Sequence, residues 1–453
     1  MAHDTITPVP PYFQAALGAV DADTALARAW DISGERPTLV LAIGKSSLEL
    51  ARAATRLLSS PAELTLVAAV PERLALAGAA DGIGTSGRVR IFPADHPWPT
   101  ERSVVAAEAI RGTVVEFARV HGSSGRIVAL ISGGGSAHLA LPDGELVLKD
   151  LVSVNMHMQR AGASIHELNA VRKHTERLKG GRLGVLSAPC DVHAFVASDV
   201  MGDPIDVIAS GPFAHDPTTF QDAIRALERY GLLGALPNIA HHLREGVAGR
   251  RLETPKAGEI ARIPHQVIAS NAVAIEAVSK SLEGSGWKVV HTARELGPVH
   301  AAQVGEALAR RAIEVAVCSR SGHGRKLALV WGGEPVVDVR PAGNRCGVGG
   351  PSQEVALAAS IVLHESMEVL HRAGAAVSIA NFSTDGVDGP TGAAGALVSH
   401  AQIERLPIAA AREALFRHDS HGLWTSVGGL LLTGPTGANV NHLAVVQVSD
   451  ALG

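Results

Sequence analysis

The sequence predicts an α/β protein of two domains facing each other across a cleft, and three observations carry that expectation. Short apolar runs stop at polar, glycine-containing turns and give way to helical spacing, repeatedly along the chain. Strand–helix alternation of this kind builds βαβ units and a largely parallel sheet. At 453 residues the chain exceeds what one core usually holds. Its 48 glycines exceed the roughly 7% that is typical. Glycine at a strand end lets backbone come close to a ligand.

The elements follow in order. Thr38 to Ile43 reads as a buried strand, then Gly44-Lys45-Ser46-Ser47, then a helix over Leu48 to Leu58. Ile127 to Ile131 repeats the pattern before Ser132-Gly133-Gly134-Gly135-Ser136, and Val192 to Ala197 repeats it before Ser198 to Pro204. Open α/β sheets bind ligands beyond the carboxyl ends of their strands, so all three turns fall where such folds put chemistry. From Arg244 to Ile263 the chain is charged and lacks a strand, which reads as a domain connection; the expected domains are residues 1–240 and 241–453. Beyond it come a strand at His265 to Ser270, a helix over Ala272 to Leu282, a strand at Trp287 to Thr292 and a helix over Val299 to Val317. The last third offers strands at Leu327 to Trp331, Val336 to Val339, Val377 to Phe382 and Leu430 to Leu432, each running into a polar turn.

Composition excludes several classes. A net charge of −4 with a pI near 6.6 removes the basic footprint of a general nucleic-acid or anionic-membrane binder, and aromatics at 3% argue against base-stacking platforms. Cys190, Cys318 and Cys346 stand far apart without metal spacing, which fits a reducing compartment. The first residues show no cationic segment leading into an apolar run, and nothing resembles a membrane span. The expectation is a cytoplasmic protein without nucleic-acid or membrane partners. Oligomeric state stays open, with a homodimer among the options.

Several motifs carry candidate chemistry. Ser132 to Ser136 (SGGGS) offers backbone N–H groups for an anion, or is simply a tight turn. It is neither a P-loop nor a GxGxxG. Lys45 sits at a helix start, where the helix dipole disfavours a cation unless an anion accompanies it. Arg172 and Lys179, seven residues apart, share a helix face that suits an acidic ligand, or they form a solvated last turn before Gly180-Gly181. Asp199 and Asp203 suit Mg²⁺ or general-base work, or else an Asx-turn and a helix cap. Asp385 and Asp388 read as metal ligands or as ordinary DG turns, and Asp95-His96-Pro97 as a rigid loop.

Taken in order, these blocks resemble the type-2 glycerate kinases, in which a glycerate-kinase N-terminal domain precedes a MOFRL domain. The match rests on GKSS at Gly44, HPWP at His96, ISGGGSA at Ile131, NAVRKHTERLKGGRL at Asn169 and SDVMGDPIDVIASGP at Ser198. It continues with GGEPVV at Gly332, STDGVDGPTGAAGA at Ser383 and TGPTGANVNHL at Thr433. The resemblance implies a Rossmann-like three-layer αβα first domain and a MOFRL-like α/β second domain. It also implies transfer of the γ-phosphoryl group of ATP, with Mg²⁺, to the 2-hydroxyl of D-glycerate or a related small hydroxycarboxylate, giving 2-phosphoglycerate and ADP.

On matching positions it implies that Lys45 stabilises the transferring phosphoryl group and that Asp199 is the base or Mg²⁺ organiser, with Asp385 a further metal ligand. Ser132, Gly133, Gly134, Gly135 and Ser136, with Arg172 and Lys179, are then the nucleotide-binding set. One departure stands out. The family loop usually ends GGRNQE, whereas here Gly349-Gly350 leads into Pro351-Ser352-Gln353-Glu354, so the family arginine has no counterpart and Arg345 is the candidate replacement. The rival readings are a hydroxypyruvate reductase, which requires a dinucleotide fingerprint, and a hydroxy-acid-binding protein that lost catalysis with the arginine.

Overall fold

The computed structural model describes residues 9–58, 63–75, 87–260, 262–319, 324–339 and 346–451. The chain divides into two compact units, one of residues 22–268 and one of residues 1–21 with 269–453. Helix Pro11–Val20 therefore belongs with the C-terminal half: it packs on helix Asn271–Gly284, and Phe13 stacks on Phe382 at 4.8 Å. The sequence-based boundary after residue 240 falls inside the first unit.

The first unit is built on a six-stranded sheet of β1 (Thr38–Ile43), β2 (Leu64–Pro71), β3 (Gly87–Ala94), β4 (Arg126–Ser132), β5 (Asp191–Ala197) and β6 (His265–Ala269), in the order β3-β2-β1-β4-β5-β6. Strands β1 to β5 pair in parallel. β1 and β4 are buried along their whole length, as near-continuous apolar runs require when both sheet faces are covered. On one face Leu39, Leu41, Ile127 and Ala129 pack with Ala106, Ile110, Val114 and Phe117 of helix Glu101–His121. Helix Ser47–Leu57 covers the other face through Leu50, Ala51 and Ala54, giving the three-layer αβα arrangement.

A separate helical cluster of Val154, Met158, Leu168, Val171, Phe220, Ile224, Leu227 and Leu243 completes the unit. The charged stretch from Arg244 to Ile263 is no free connection. Glu253 meets His174 Nε2 at 2.6 Å, Thr254 Oγ1 donates to Asp216 at 3.0 Å, and Asp216 N–H donates to Pro255 O at 2.9 Å, so polar contacts fasten it to this unit.

The second unit has a six-stranded sheet of β7 (Lys288–His300), β8 (Lys326–Val336), β9 (Ala375–Ser383), β10 (Gly395–Val398), β11 (Leu430–Leu431) and β12 (His442–Asp450), ordered β11-β10-β9-β12-β8-β7. Among the described residues of this sheet only β7 and β8 pair in parallel; β12 runs antiparallel to both β8 and β9, and β10 to β9 and β11. The expectation of a largely parallel sheet is corrected here. Helices Ala301–Cys318 and Pro351–Glu365 cover one face, where Val377, Ile379, Ala444 and Val446 meet Leu308, Val355 and Ala359. Val337 to Val339 form no strand. No helix among the described residues is long and apolar enough to cross a membrane.

Candidate active site

The strand order of the first unit reverses between β1 and β4, and at such a switch point the turns beyond the strand ends diverge to leave a crevice. Three turns meet there: Gly44 to Ser46 after β1, Gly133 to Ser136 after β4, and Ser198-Asp199 after β5. The first two are tied together, Lys45 N–H donating to Gly133 O at 2.9 Å and Ser46 N–H to Ser132 Oγ at 3.1 Å. Ser132, placed by the resemblance in the nucleotide-binding set, is a buried brace whose hydroxyl is spent between two strand ends.

The remaining groups converge on the glycine turn. A Cβ at Gly133 would sit on the Asp199 carboxylate, so only glycine lets that carboxylate lie across the turn. Gly134 has φ of +81°, and a Cβ there would come within 3.0 Å of Lys45 Cγ and 3.1 Å of His96 Cδ2. Lys45 is half-buried, and no described residue accepts a hydrogen bond from its ammonium. The N–H groups of Gly134, Gly135 and Ser136 likewise make no hydrogen bond to a described residue. Burial pushes the Asp199 carboxyl above its ordinary range, against the attraction of Lys45. Desolvation by the surrounding loops, together with the positive charges of Lys45 and Arg172, pushes the His96 imidazole down to about 4. A cation, a carboxylate made more basic by burial and a neutral imidazole thus stand against one turn, three of whose amides bond to no described residue.

Lys179 and Arg172 do not act as a pair. Lys179 is fully buried and bonded to Glu176, and it donates to Ser136 O at 2.7 Å, so it holds the glycine turn from behind instead of meeting a ligand. Burial lowers its ammonium to about 8. Ser136 Oγ meets Ser210 Oγ at 2.8 Å, and Ser210 Oγ donates to Asn169 Oδ1 at 2.8 Å. Ala209 and Ser210 have φ of +51° and +60°, uncommon for residues with side chains, and Gly135 packs against Ala209. Arg172 differs: its Nε donates to buried Asn155 Oδ1 at 2.7 Å, while no described residue accepts from its terminal nitrogens.

Asp385 lies in the other unit, its Oδ1 accepting from Ser383 Oγ at 2.7 Å and Val387 N–H at 3.0 Å as a turn residue. Asp388 is buried and accepts from the N–H groups of Ser352 and Gln353 at 2.8 and 2.9 Å, capping helix Pro351–Glu365 from another segment. Pro351 occupies the first turn of that helix, where its missing N–H costs nothing. Arg345 lies outside the described residues. Among the described residues no three His, Cys, Asp or Glu side chains cluster as a metal site.

Residues 9–244 match the family described as "Domain of unknown function (DUF4147)", and residues 327–442 the MOFRL family. Glycerate 2-kinase of Pyrococcus horikoshii is 34% identical, over 91% of this chain and 88% of that protein. The chain belongs to the glycerate kinase family. In fold it is similar to the crystal structure of glycerate kinase from Thermotoga maritima, with a TM-score of 0.81, 29% identity, and coverage of 96% of this chain and 97% of that one. A family relative from Agrobacterium vitis, 36% identical over 80% of this chain and 78% of that protein, carries the name putative hydroxypyruvate reductase.

Sequence reasoning missed two features of the surroundings of the glycine turn. His96, read only as part of a rigid loop, stands against Lys45 and Gly134. Asn155 orients Arg172. The HPWP block pointed at the first; nothing local to Asn155 signals the second.

Proposed function

We propose that the protein transfers the γ-phosphoryl group of ATP to the 2-hydroxyl of D-glycerate or a closely related small hydroxycarboxylate. The observation that carries this reading is that Lys45 and Asp199 stand against one turn whose Gly134, Gly135 and Ser136 amides bond to no described residue. Phosphoryl transfer asks a protein mainly to position its substrates and neutralise equatorial oxygens. A lysine and three amides do the second.

In this reading Asp199 accepts the proton of the acceptor hydroxyl, which its burial-raised basicity favours. Lys45 neutralises charge on the transferring group, and the terminal nitrogens of Arg172, which bond to no described residue, take the acid's carboxylate, a role suited to a guanidinium fork. His96, neutral at physiological pH, offers a ring nitrogen to the same space without adding charge. Lys179, Ser210 and Asn169 keep the turn in place.

A Mg²⁺ ion would be carried here chiefly by the substrate phosphates, which usually supply much of its coordination, leaving the Asp199 carboxylate to act as the base. Bound there, the ion would neutralise phosphate charge. Asp385 is not assigned to it.

The reductase reading draws on the name of the Agrobacterium vitis relative. Against it, the turn after β1 reads Gly44-Lys45-Ser46-Ser47 and carries no GxGxxG for a dinucleotide. ADP release with D-glycerate, tartronate and four-carbon hydroxy acids, run beside NADH oxidation with hydroxypyruvate, separates the two. ADP formation with a hydroxy acid is the expected result. Hydroxypyruvate-dependent NADH oxidation without ADP from any acid would replace the kinase reading.

A further inference from the structure

Beside the glycine turn, the first unit holds a second concavity that the phosphoryl chemistry leaves unused. It has a volume of about 310 Å³, is open on one side, and is lined by Trp98 of the HPWP loop and by Val152, Met156, Gln159 and Arg160 of helix Leu148–Arg160. Trp98 is 39% exposed although it is the largest apolar side chain there. Indole left open in a pocket, facing a thioether and a valine, is arranged to receive a flat ring, because aromatic faces and methionine sulfur both gain from contact with one.

We infer that this pocket receives the adenine ring of the phosphoryl donor. The inference rests on the kinase reading above and extends it to the base. Three observations favour a purine over another occupant. The volume is at the small end of ligand pockets, which suits a bicyclic ring and is too small for a protein segment. Trp98 is two residues from His96, which itself touches the Lys45–Gly134 corner; two residues span at most about 7 Å, so the pocket opens a short distance from where the phosphates would lie. Helix Leu148–Arg160 joins the two places, since Asn155 on its buried face holds Arg172 while Met156 and Gln159 line the pocket.

The pocket is also held ready. Pro97 and Pro99 flank Trp98 and limit its backbone, and Asp95 ties the loop down by accepting from Thr100 and, at 2.8 Å, from Arg102. The Gln159 amide has the donor and acceptor pair that matches adenine N7 and N6, and Arg160 provides a cation for the ring face or the ribose-phosphate edge.

Titration of the full-length protein with ADP, by calorimetry and by tryptophan fluorescence, tests this in the wild type, Trp98→Ala, Met156→Glu and Gln159→Leu, with thermal unfolding to check the fold of each. A base–aromatic stack predicts that Trp98→Ala weakens ADP binding and raises KM for ATP by roughly five- to a hundredfold, with KM for the hydroxy acid nearly constant. Met156→Glu does the same by putting a carboxylate on the apolar wall against which the ring would lie, and it carries the test should Trp98→Ala not fold. Gln159→Leu lowers the preference for ATP over GTP. ADP quenches wild-type fluorescence, and Trp98→Phe removes most of that quenching. Unchanged ADP affinity in folded Trp98→Ala or Met156→Glu overturns the assignment, as does a change confined to oligomeric state. A wild type that binds no ADP and phosphorylates no hydroxy acid instead overturns the kinase reading itself.

Discussion

At Gly133 the reach of a single carboxylate dictates the residue: no side chain fits under Asp199. Gly133→Ala is expected to displace Asp199 and abolish turnover while leaving the fold intact, since the clash is local; a full rate measured for this variant would show that the carboxylate need not lie there. Lys45→Ala is expected to lower kcat by roughly 10²- to 10³-fold, the scale of removing one charge-stabilising donor, with a smaller effect on KM for the acid.

In the proposed reaction Asp199 sets the pH behaviour. Its carboxyl sits above the ordinary range and must be ionised to accept a proton, so the rate falls on acidification at a higher pH than an unperturbed aspartate would give. A pH–rate profile of the wild type checks that limb, and Asp199→Asn, nearly inactive, should retain none of it. Lys45 and Asp199 could be singled out in the sequence because each lies one residue beyond the turn residue that ends an apolar strand. Lys179 was misread because its buried partner Glu176, three residues earlier on the same stretch, hides an ion pair in what looks like a basic helix end. The tie from Asn155 to Arg172 could not be read, because it joins two helices that only the tertiary packing brings together.

At the scale of elements, the segment after β5 is fastened by one buried ammonium. Lys173 Nζ donates to Asp206 at 3.0 Å and Asp216 at 3.2 Å, with Lys173 and Asp216 wholly buried. Although burial opposes it, the charge of Lys173 and hydrogen bonds from Thr218 hold the Asp216 carboxyl below its usual value. Lys173→Met leaves that carboxylate unpaired and is expected to cost about 3–5 kcal/mol in denaturant unfolding, with Lys173→Met/Asp216→Asn recovering part of the loss. A carboxyl with a depressed folded-state value contributes stability that is complete above its unfolded value, near 3.9, and disappears as the pH falls through the folded one. Lys173→Met should therefore flatten the acid side of the stability profile.

Strands with continuous apolar runs, such as β1 and β4, were readable nearly to the residue. The stretch from Arg244 to Ile263 was not, because side chains such as Glu253 and Thr254 hold it in place, and hydropathy reports their polarity without their partners.

For the whole molecule, the family resemblance implied the three-layer first unit, and alternating strands and helices identified the α/β class. They gave the wrong strand directions for the second sheet, since antiparallel β8, β9 and β12 carry the same apolar runs as parallel strands once a helix layer covers them. The return of helix Pro11–Val20 to the C-terminal unit depends on contacts such as Phe13 on Phe382, far apart in sequence. The central claim is that the glycine turn of the first unit, with Lys45 and Asp199, moves a phosphoryl group onto a hydroxy acid. Phosphorus NMR of the products formed from ATP and D-glycerate, by the wild type and by Lys45→Ala, tests it most directly. The expected spectrum has ADP and an equal amount of 2-phosphoglycerate with the wild type, and neither at a comparable rate with Lys45→Ala; no phosphoester from the wild type, or an undiminished one from the variant, would contradict it.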